Sequence, residues 1–117
     1  MTEALRDFVT EETKKLLAAP SVGQRAKDAA NAWLAARGTK DEEKATDAYV
    51  AELTQSIATI DELTAFANSA DAEKYMGKDA AKALAAHAAD IKEKGARYCD
   101  CPACAACAAI LEKFGKL

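Results

Sequence analysis

Alanine is the residue that most constrains the fold of this chain. Thirty of the 117 residues are alanine, whereas only 6% are aromatic. Alanine has the highest helix propensity and little side-chain volume, so an alanine-rich chain favours helices that approach one another closely. The sequence contains no alternating run of β-branched residues of the kind that predicts a strand. These properties predict an all-α protein.

Capping signals predict where the first two helices begin and end. Thr2 is the expected N-cap of the first helix. This helix should end before Pro20, because proline disfavours the helical conformation in the residue ahead of it. The second helix should end at about Arg37, since Gly38 suits the left-handed conformation that often follows a helix.

Two capping-box spacings predict the starts of the next helices. Thr39 is followed three residues later by Glu42, and Thr59 is followed at the same distance by Glu62. A further helical turn is expected around Tyr75. The acidic runs, including residues 41–43 and 61–62, are expected on the surface, where carboxylates near helix starts complement the helix dipole.

The last third of the chain predicts a helical hairpin. A strongly helical run extends from Asp79 to Gly95, and a final helix should have Cys101 as its N-cap and Pro102 as its first residue. In all, we expect residues 1–117 to form one domain, a bundle of about five to six helices with short connections. Its core should include Trp33 and Phe66.

Charge and hydropathy exclude several classes of partner. The chain has 16 basic and 19 acidic residues, a net charge of −3, and no basic patch of the kind that binds nucleic acid. It has no run of roughly 18 apolar residues and no secretory signal at its start, so we expect no membrane span and a cytoplasmic location.

All four cysteines fall within residues 99–107, as Cys99, Cys101, Cys104 and Cys107. In a reducing cytoplasm such a cluster indicates metal ligands or redox groups more than structural disulfides. The first three should converge at the start of the last helix, whereas Cys107 is rotated about 60° further round it. Zinc suits four such ligands, and an iron–sulfur cluster or copper(I) is the alternative.

His87, the only histidine, falls between Leu84 and Ile91 on the apolar face of its predicted helix. The favoured interpretation is a core histidine bonded to a backbone carbonyl. Counting residues along a hairpin that turns near Tyr98 also brings His87 near Cys107. His87 and Cys107 are therefore competing candidates for the fourth ligand, and His87 would give a Cys₃His site.

Two other interpretations of the cysteines remain open. The segment from Cys101 to Cys104 is a C-x-x-C motif at a helix start, which is typical of dithiol redox proteins, but their usual βαβ framework is not predicted here. Cysteines in an alanine-rich helix can also serve as small buried apolar residues.

The segment from Lys94 to Cys104, with its Tyr-Cys-Asp-Cys-Pro-Ala-Cys sequence, resembles a family of small helical bacterial proteins, mostly from anaerobes. Residues 16–21, 32–36 and 85–88 extend this resemblance over nearly the whole chain. Members of the family are described as heat-shock proteins or molecular chaperones, which implies a stress-related function as an alternative. The resemblance also implies that His87 acts together with Cys99, Cys101 and Cys104.

These observations predict a non-enzymatic, cytoplasmic, metal-binding helical protein. The cysteine cluster is expected to hold a structural or handled metal, most simply zinc. The alternatives are a stress-related chaperone or interaction protein, and a dithiol redox or iron–sulfur protein.

Overall fold

A computed structural model describes all 117 residues, and seven α-helices account for most of them. They are α1 (Glu3–Ala18), α2 (Gln24–Ala36), α3 (Glu42–Ser56), α4 (Ile60–Ala67), α5 (Ala70–Met76), α6 (Lys78–Glu93) and α7 (Pro102–Lys113). The predicted all-α class is confirmed. The helix count exceeds the expected five to six because the turn predicted around Tyr75 is a seven-residue helix.

Residue contacts divide the chain into two compact units. The first comprises Met1–Ile57 with Asp100–Leu117, and therefore α1, α2, α3 and α7. The second is Ala58–Cys99, which contains α4, α5 and α6. The expectation that residues 1–117 form a single domain stays a prediction. None of the helices has both the length and the apolar character that crossing a membrane requires.

Most of the predicted caps are present. The Thr2 hydroxyl accepts a hydrogen bond from the backbone N–H of Leu5 at 3.1 Å. Thr59 and Glu62 form the predicted capping box, with bonds of 3.1 and 3.2 Å in the two directions. Gly38 has a φ of 75° directly after the C-cap of α2, which explains why a glycine stands there.

The capping box predicted at Thr39 is wrong. The N-cap of α3 is Asp41, and Thr39 instead donates its hydroxyl hydrogen to the carbonyl of Ala36. The carboxylate of Glu42 accepts bonds of 2.9 and 3.1 Å from the Arg6 guanidinium and another from the backbone N–H of Gly38. Glu42 is only 7% exposed, so the expectation of a wholly solvated acidic run is also wrong. Glu42 therefore bonds to Arg6, 36 residues earlier in the chain, and does not form the predicted local cap.

The core of the first unit is built around two aromatic rings. Trp33 and Tyr49 stack with their centroids 5.9 Å apart, and both are almost completely buried. The indole N–H of Trp33 donates to the Thr46 hydroxyl at 2.9 Å, and the Tyr49 and Thr13 hydroxyls are 2.8 Å apart. Burial raises the pKa of Tyr49 to about 12, so its phenol stays protonated at neutral pH.

The core of the second unit is smaller and does not include Phe66. Its main apolar cluster joins α4 and α6 and consists of Ile60, Leu63 and Ala88, with Leu84, Ile91 and Cys99 packed against them. Phe66 is 40% exposed, so its predicted role as a core anchor is wrong. The buried positions of α4 are 60, 63 and 67, which leaves residue 66 at the border of the stripe.

Replacing Tyr49 by phenylalanine should lower the free energy of unfolding by about 1–2 kcal/mol, because it leaves the buried Thr13 hydroxyl without its partner. The double variant with Thr13→Val removes both polar groups and should recover part of this loss. Urea denaturation of the single and double variants measures the coupling. Additive losses would contradict the hydrogen bond.

Glu42→Gln should make the melting temperature of the protein less dependent on pH in the acidic range. The hydrogen bond from Arg6, followed by that from Gly38, holds the pKa of Glu42 below its usual 4.5. The ionised carboxylate therefore stabilises the fold fully above pH 4.5, and this contribution is lost as the pH falls through the lower folded-state pKa. The variant should have a lower melting temperature at pH 7, and the difference should shrink below pH 4.5.

The exposed neighbour Glu43 supplies the control for this measurement, since Glu43→Gln removes the same charge from the same helix turn. Thermal melts of both variants from pH 3 to pH 7 test the assignment. Equal pH profiles for the two would count against a special role of Glu42.

Candidate metal centre

Three of the five predicted site residues lie together at the start of α7. The sulfurs of Cys99, Cys101 and Cys104 are all within 4.8 Å of one another. In a tetrahedral site with zinc–sulfur bonds of about 2.3 Å, neighbouring sulfurs are about 3.8 Å apart. Small side-chain movements would therefore bring the three sulfurs onto one ion. The cluster can hold a metal ion.

Backbone pairing fixes the position of Cys99. Its N–H donates to the carbonyl of Ala58 at 2.9 Å, and the N–H of Ile60 donates to the carbonyl of Arg97 at the same distance. The Cys99 side chain is half-buried against the apolar cluster of the second unit. Backbone hydrogen bonds and apolar packing therefore hold Cys99 in place.

Cys101 is the N-cap of α7, as predicted, and Pro102 is the first helical residue. The Cys101 sulfur accepts a hydrogen bond from the backbone N–H of Cys104 at 3.4 Å and one from the Ser21 hydroxyl at 3.3 Å. Two donors and the positive end of a helix dipole face this sulfur. All three favour the negative charge that a cysteine carries as a metal ligand.

Cys107 lies one turn beyond Cys104 and is 2% exposed. It is not part of the group of three. Burial, followed by repulsion from Cys101, raises the pKa of the Cys107 thiol to about 11. At neutral pH it is therefore a neutral thiol in the metal-free protein. Its role as a fourth ligand stays a prediction.

His87 lies on α6 and is exposed, so the favoured interpretation as a core histidine is wrong. The buried residues of α6 are Ala81 and Ala88, and residue 87 lies beside this stripe rather than within it. The structure does not group His87 with the three cysteines. Its role as a ligand likewise stays a prediction.

Ser21 is the site residue that the sequence did not reveal. It precedes Cys101 by 80 residues and reaches it from the connection between α1 and α2. A serine after a proline is an ordinary loop residue, and no spacing or motif relates it to the cysteines. Only the packing of α1 and α7 within the first unit brings the two segments together.

Comparisons with protein-family models, curated proteins and solved structures found no match for this chain. The fold and the site define its class: an all-α protein in which three clustered cysteines can hold a metal ion. The family resemblance and the heat-shock or chaperone function that it implies stay predictions.

Substitutions of Cys101 should separate its role as a cap from its role as a ligand. Cys101→Ala removes both, and should lower the free energy of unfolding of the metal-free protein by about 1 kcal/mol. Cys101→Ser keeps a capping oxygen, and should leave that free energy unchanged or higher. Chemical denaturation in the presence of a chelator measures the difference. Equal stability of the two variants would contradict the capping role.

Proposed function

We propose that this chain is a non-enzymatic metal-binding protein in which Cys99, Cys101 and Cys104 hold a zinc ion. The observation that carries the proposal is the convergence of their sulfurs within 4.8 Å. Zinc has no geometric preference of its own and accepts thiolates at tetrahedral distances, so it suits a site that a loop and a helix start provide. A fourth ligand, Cys107 or His87, would complete a closed structural site.

Zinc is favoured over an iron–sulfur cluster by the number of ligands. A cluster with two or four irons is usually held by four cysteine thiolates, whereas three sulfurs are grouped here. Copper(I) also binds soft thiolates and is the main competing metal. Direct measurement of the bound element distinguishes the two.

Dithiol redox chemistry is the competing use of Cys101 and Cys104. Their sulfurs lie within 4.8 Å, which also suits a reversible disulfide. Dithiol oxidoreductases of the thioredoxin type place this motif after a strand of a βαβ unit, and the chain has no strand. The participation of Cys99 is a further reason to favour a metal, since a redox pair needs only two sulfurs.

In this proposal the metal has a mechanical role. An ion bound to Cys99, Cys101 and Cys104 would fix the chain that leads into α7 to the first turn of that helix. Zinc with three thiolates carries a charge of −1, and the donors that face Cys101 would reduce the repulsion among the sulfurs. Metal binding would therefore add to the stability of the start of α7.

Native mass spectrometry of protein purified without chelator should show one zinc per chain. Cys99→Ser and Cys104→Ser should each lose it, because each removes a ligand from the group of three. Ala105→Ser is the matched control, since it changes an exposed residue of the same helix turn and should retain zinc.

The same measurement tests Cys107 and His87 as the fourth ligand through Cys107→Ser and His87→Gln. The variant of the residue that is the ligand should weaken zinc binding, and normal binding by both variants would mean that the fourth ligand comes from outside the chain. Elemental analysis is the independent check. Well under one equivalent of zinc, iron and copper, in protein with four reduced thiols, would overturn the proposal.

A further inference from the structure

A cavity of about 340 Å³ lies within the first unit, next to the start of α7. Its walls come from α1, the connection between α1 and α2, the start of α2, the end of α3, and α7, and they include Leu16, Ser21, Val22, Ala26, Cys104 and Cys107. This volume is at the lower end of the range of roughly 300–1,000 Å³ that small-molecule sites occupy. The cavity is large enough for a small organic molecule.

The cavity reaches the cysteine cluster. Ser21 is part of its wall, and the hydroxyl of Ser21 donates to the Cys101 sulfur at 3.3 Å. Cys104, a second member of the group of three, is also part of the wall. A molecule bound in the cavity would therefore lie beside Cys104 and beside the Ser21 hydroxyl that bonds to Cys101, whereas Cys99 and Cys101 are not part of the wall.

A metal held by Cys99, Cys101 and Cys104 leaves one tetrahedral position open unless Cys107 or His87 fills it. Zinc sites that exchange ligands keep such a position, whereas purely structural sites are closed by a fourth protein ligand. No carboxylate and no imidazole line the cavity, and the one charged residue of its wall, Arg25, forms an ion pair of 2.8 Å with Glu52. Its largely apolar wall, with Leu16, Val22 and Ala26, suits a small ligand with an aliphatic body.

We propose that this cavity binds a low-molecular-weight aliphatic thiol whose sulfur becomes the fourth ligand of the metal. The inference rests on the proposed function, because it requires a metal on Cys99, Cys101 and Cys104. The thiol releases its proton to solvent as its sulfur binds the metal, so no redox step is involved. A soft donor matches the metal that three thiolates select. The site would then receive metal from, or deliver it to, a small thiol carrier.

Cobalt(II) provides a spectroscopic test with the full chain. The cobalt protein is prepared first, and its sulfur-to-cobalt charge-transfer absorption reports the thiolates in the site. Titration with 2-mercaptoethanol should then increase this absorption by about one third and saturate, because one thiolate is added to three. An unchanged spectrum would show that the added thiol does not become a ligand and would overturn the inference, although the proposed function would stand.

A change at Val22 tests whether the thiol binds in this cavity. Val22→Trp fills part of the space and should weaken 2-mercaptoethanol binding by about tenfold or more, while cobalt uptake stays normal. Val22→Ala removes volume at the same position and should leave thiol binding within about twofold of that of the unmodified chain. Equal thiol affinities of the two variants would overturn the assignment of the cavity.

Gly23→Leu is the second blocking variant, for use if Val22→Trp does not fold. A Cβ at residue 23 meets no atom within 4 Å, and the φ of −80° is open to any residue. Gly23→Leu should also weaken 2-mercaptoethanol binding. Three outcomes are then separable. Failure to bind cobalt overturns the proposed function. Loss of cobalt to the added thiol overturns the inference. Unchanged thiol binding in both blocking variants also overturns the inference.

Discussion

The first unit depends on burying two aromatic rings without leaving their polar atoms unpaired. Alanine side chains contribute little volume to a core, so a few large side chains must fill the space between the helices. Trp33 of α2 and Tyr49 of α3 fill this space, and their rings stack on each other. Their polar atoms are paired with the hydroxyls of Thr46 and Thr13, which keeps the desolvation cost of each ring low. The Tyr49–Thr13 bond also ties α3 to α1.

Two of the three grouped cysteines, Cys101 and Cys104, are positioned by helix packing in the first unit. α7 packs against both α1 and α3, and its Ile110 and Leu111 are completely buried. Burial of each such side chain contributes on the order of 1.5–3 kcal/mol, which fixes the second half of α7 without any metal. Cys101 and Cys104 at the first turn are thereby placed before an ion binds. A site arranged in this way pays less conformational entropy on binding than a flexible loop would.

Features that depend on neighbouring residues could be predicted from the sequence, and features that depend on distant ones could not. The caps at Thr2, Thr59 and Cys101 involve atoms three residues away, so local sequence patterns identified them. The cap at Thr39 failed because Glu42 bonds to a guanidinium 36 residues earlier in the chain.

The same distinction applies to burial and to the site. Helical periodicity gives the direction of an apolar stripe but not its width, and residues at its edge, such as Phe66 and His87, were therefore misjudged. The three grouped cysteines lie within six residues of chain, so their convergence followed from local helix geometry. Ser21 reaches the site only through packing between helices, and no local pattern carries that information.

The sulfur of Cys101 has one role in the fold and would have a second in the proposed metal site. As the N-cap it accepts a hydrogen bond from the first turn of α7, and as a ligand it would donate electrons to a metal. A sulfur has several lone pairs, so these interactions need not compete. A hydrogen bond to a metal-bound thiolate draws off part of its charge, and the helix N-terminus stabilises what remains. The arrangement that begins the helix is thus also one that eases the binding of a cation by three clustered thiolates.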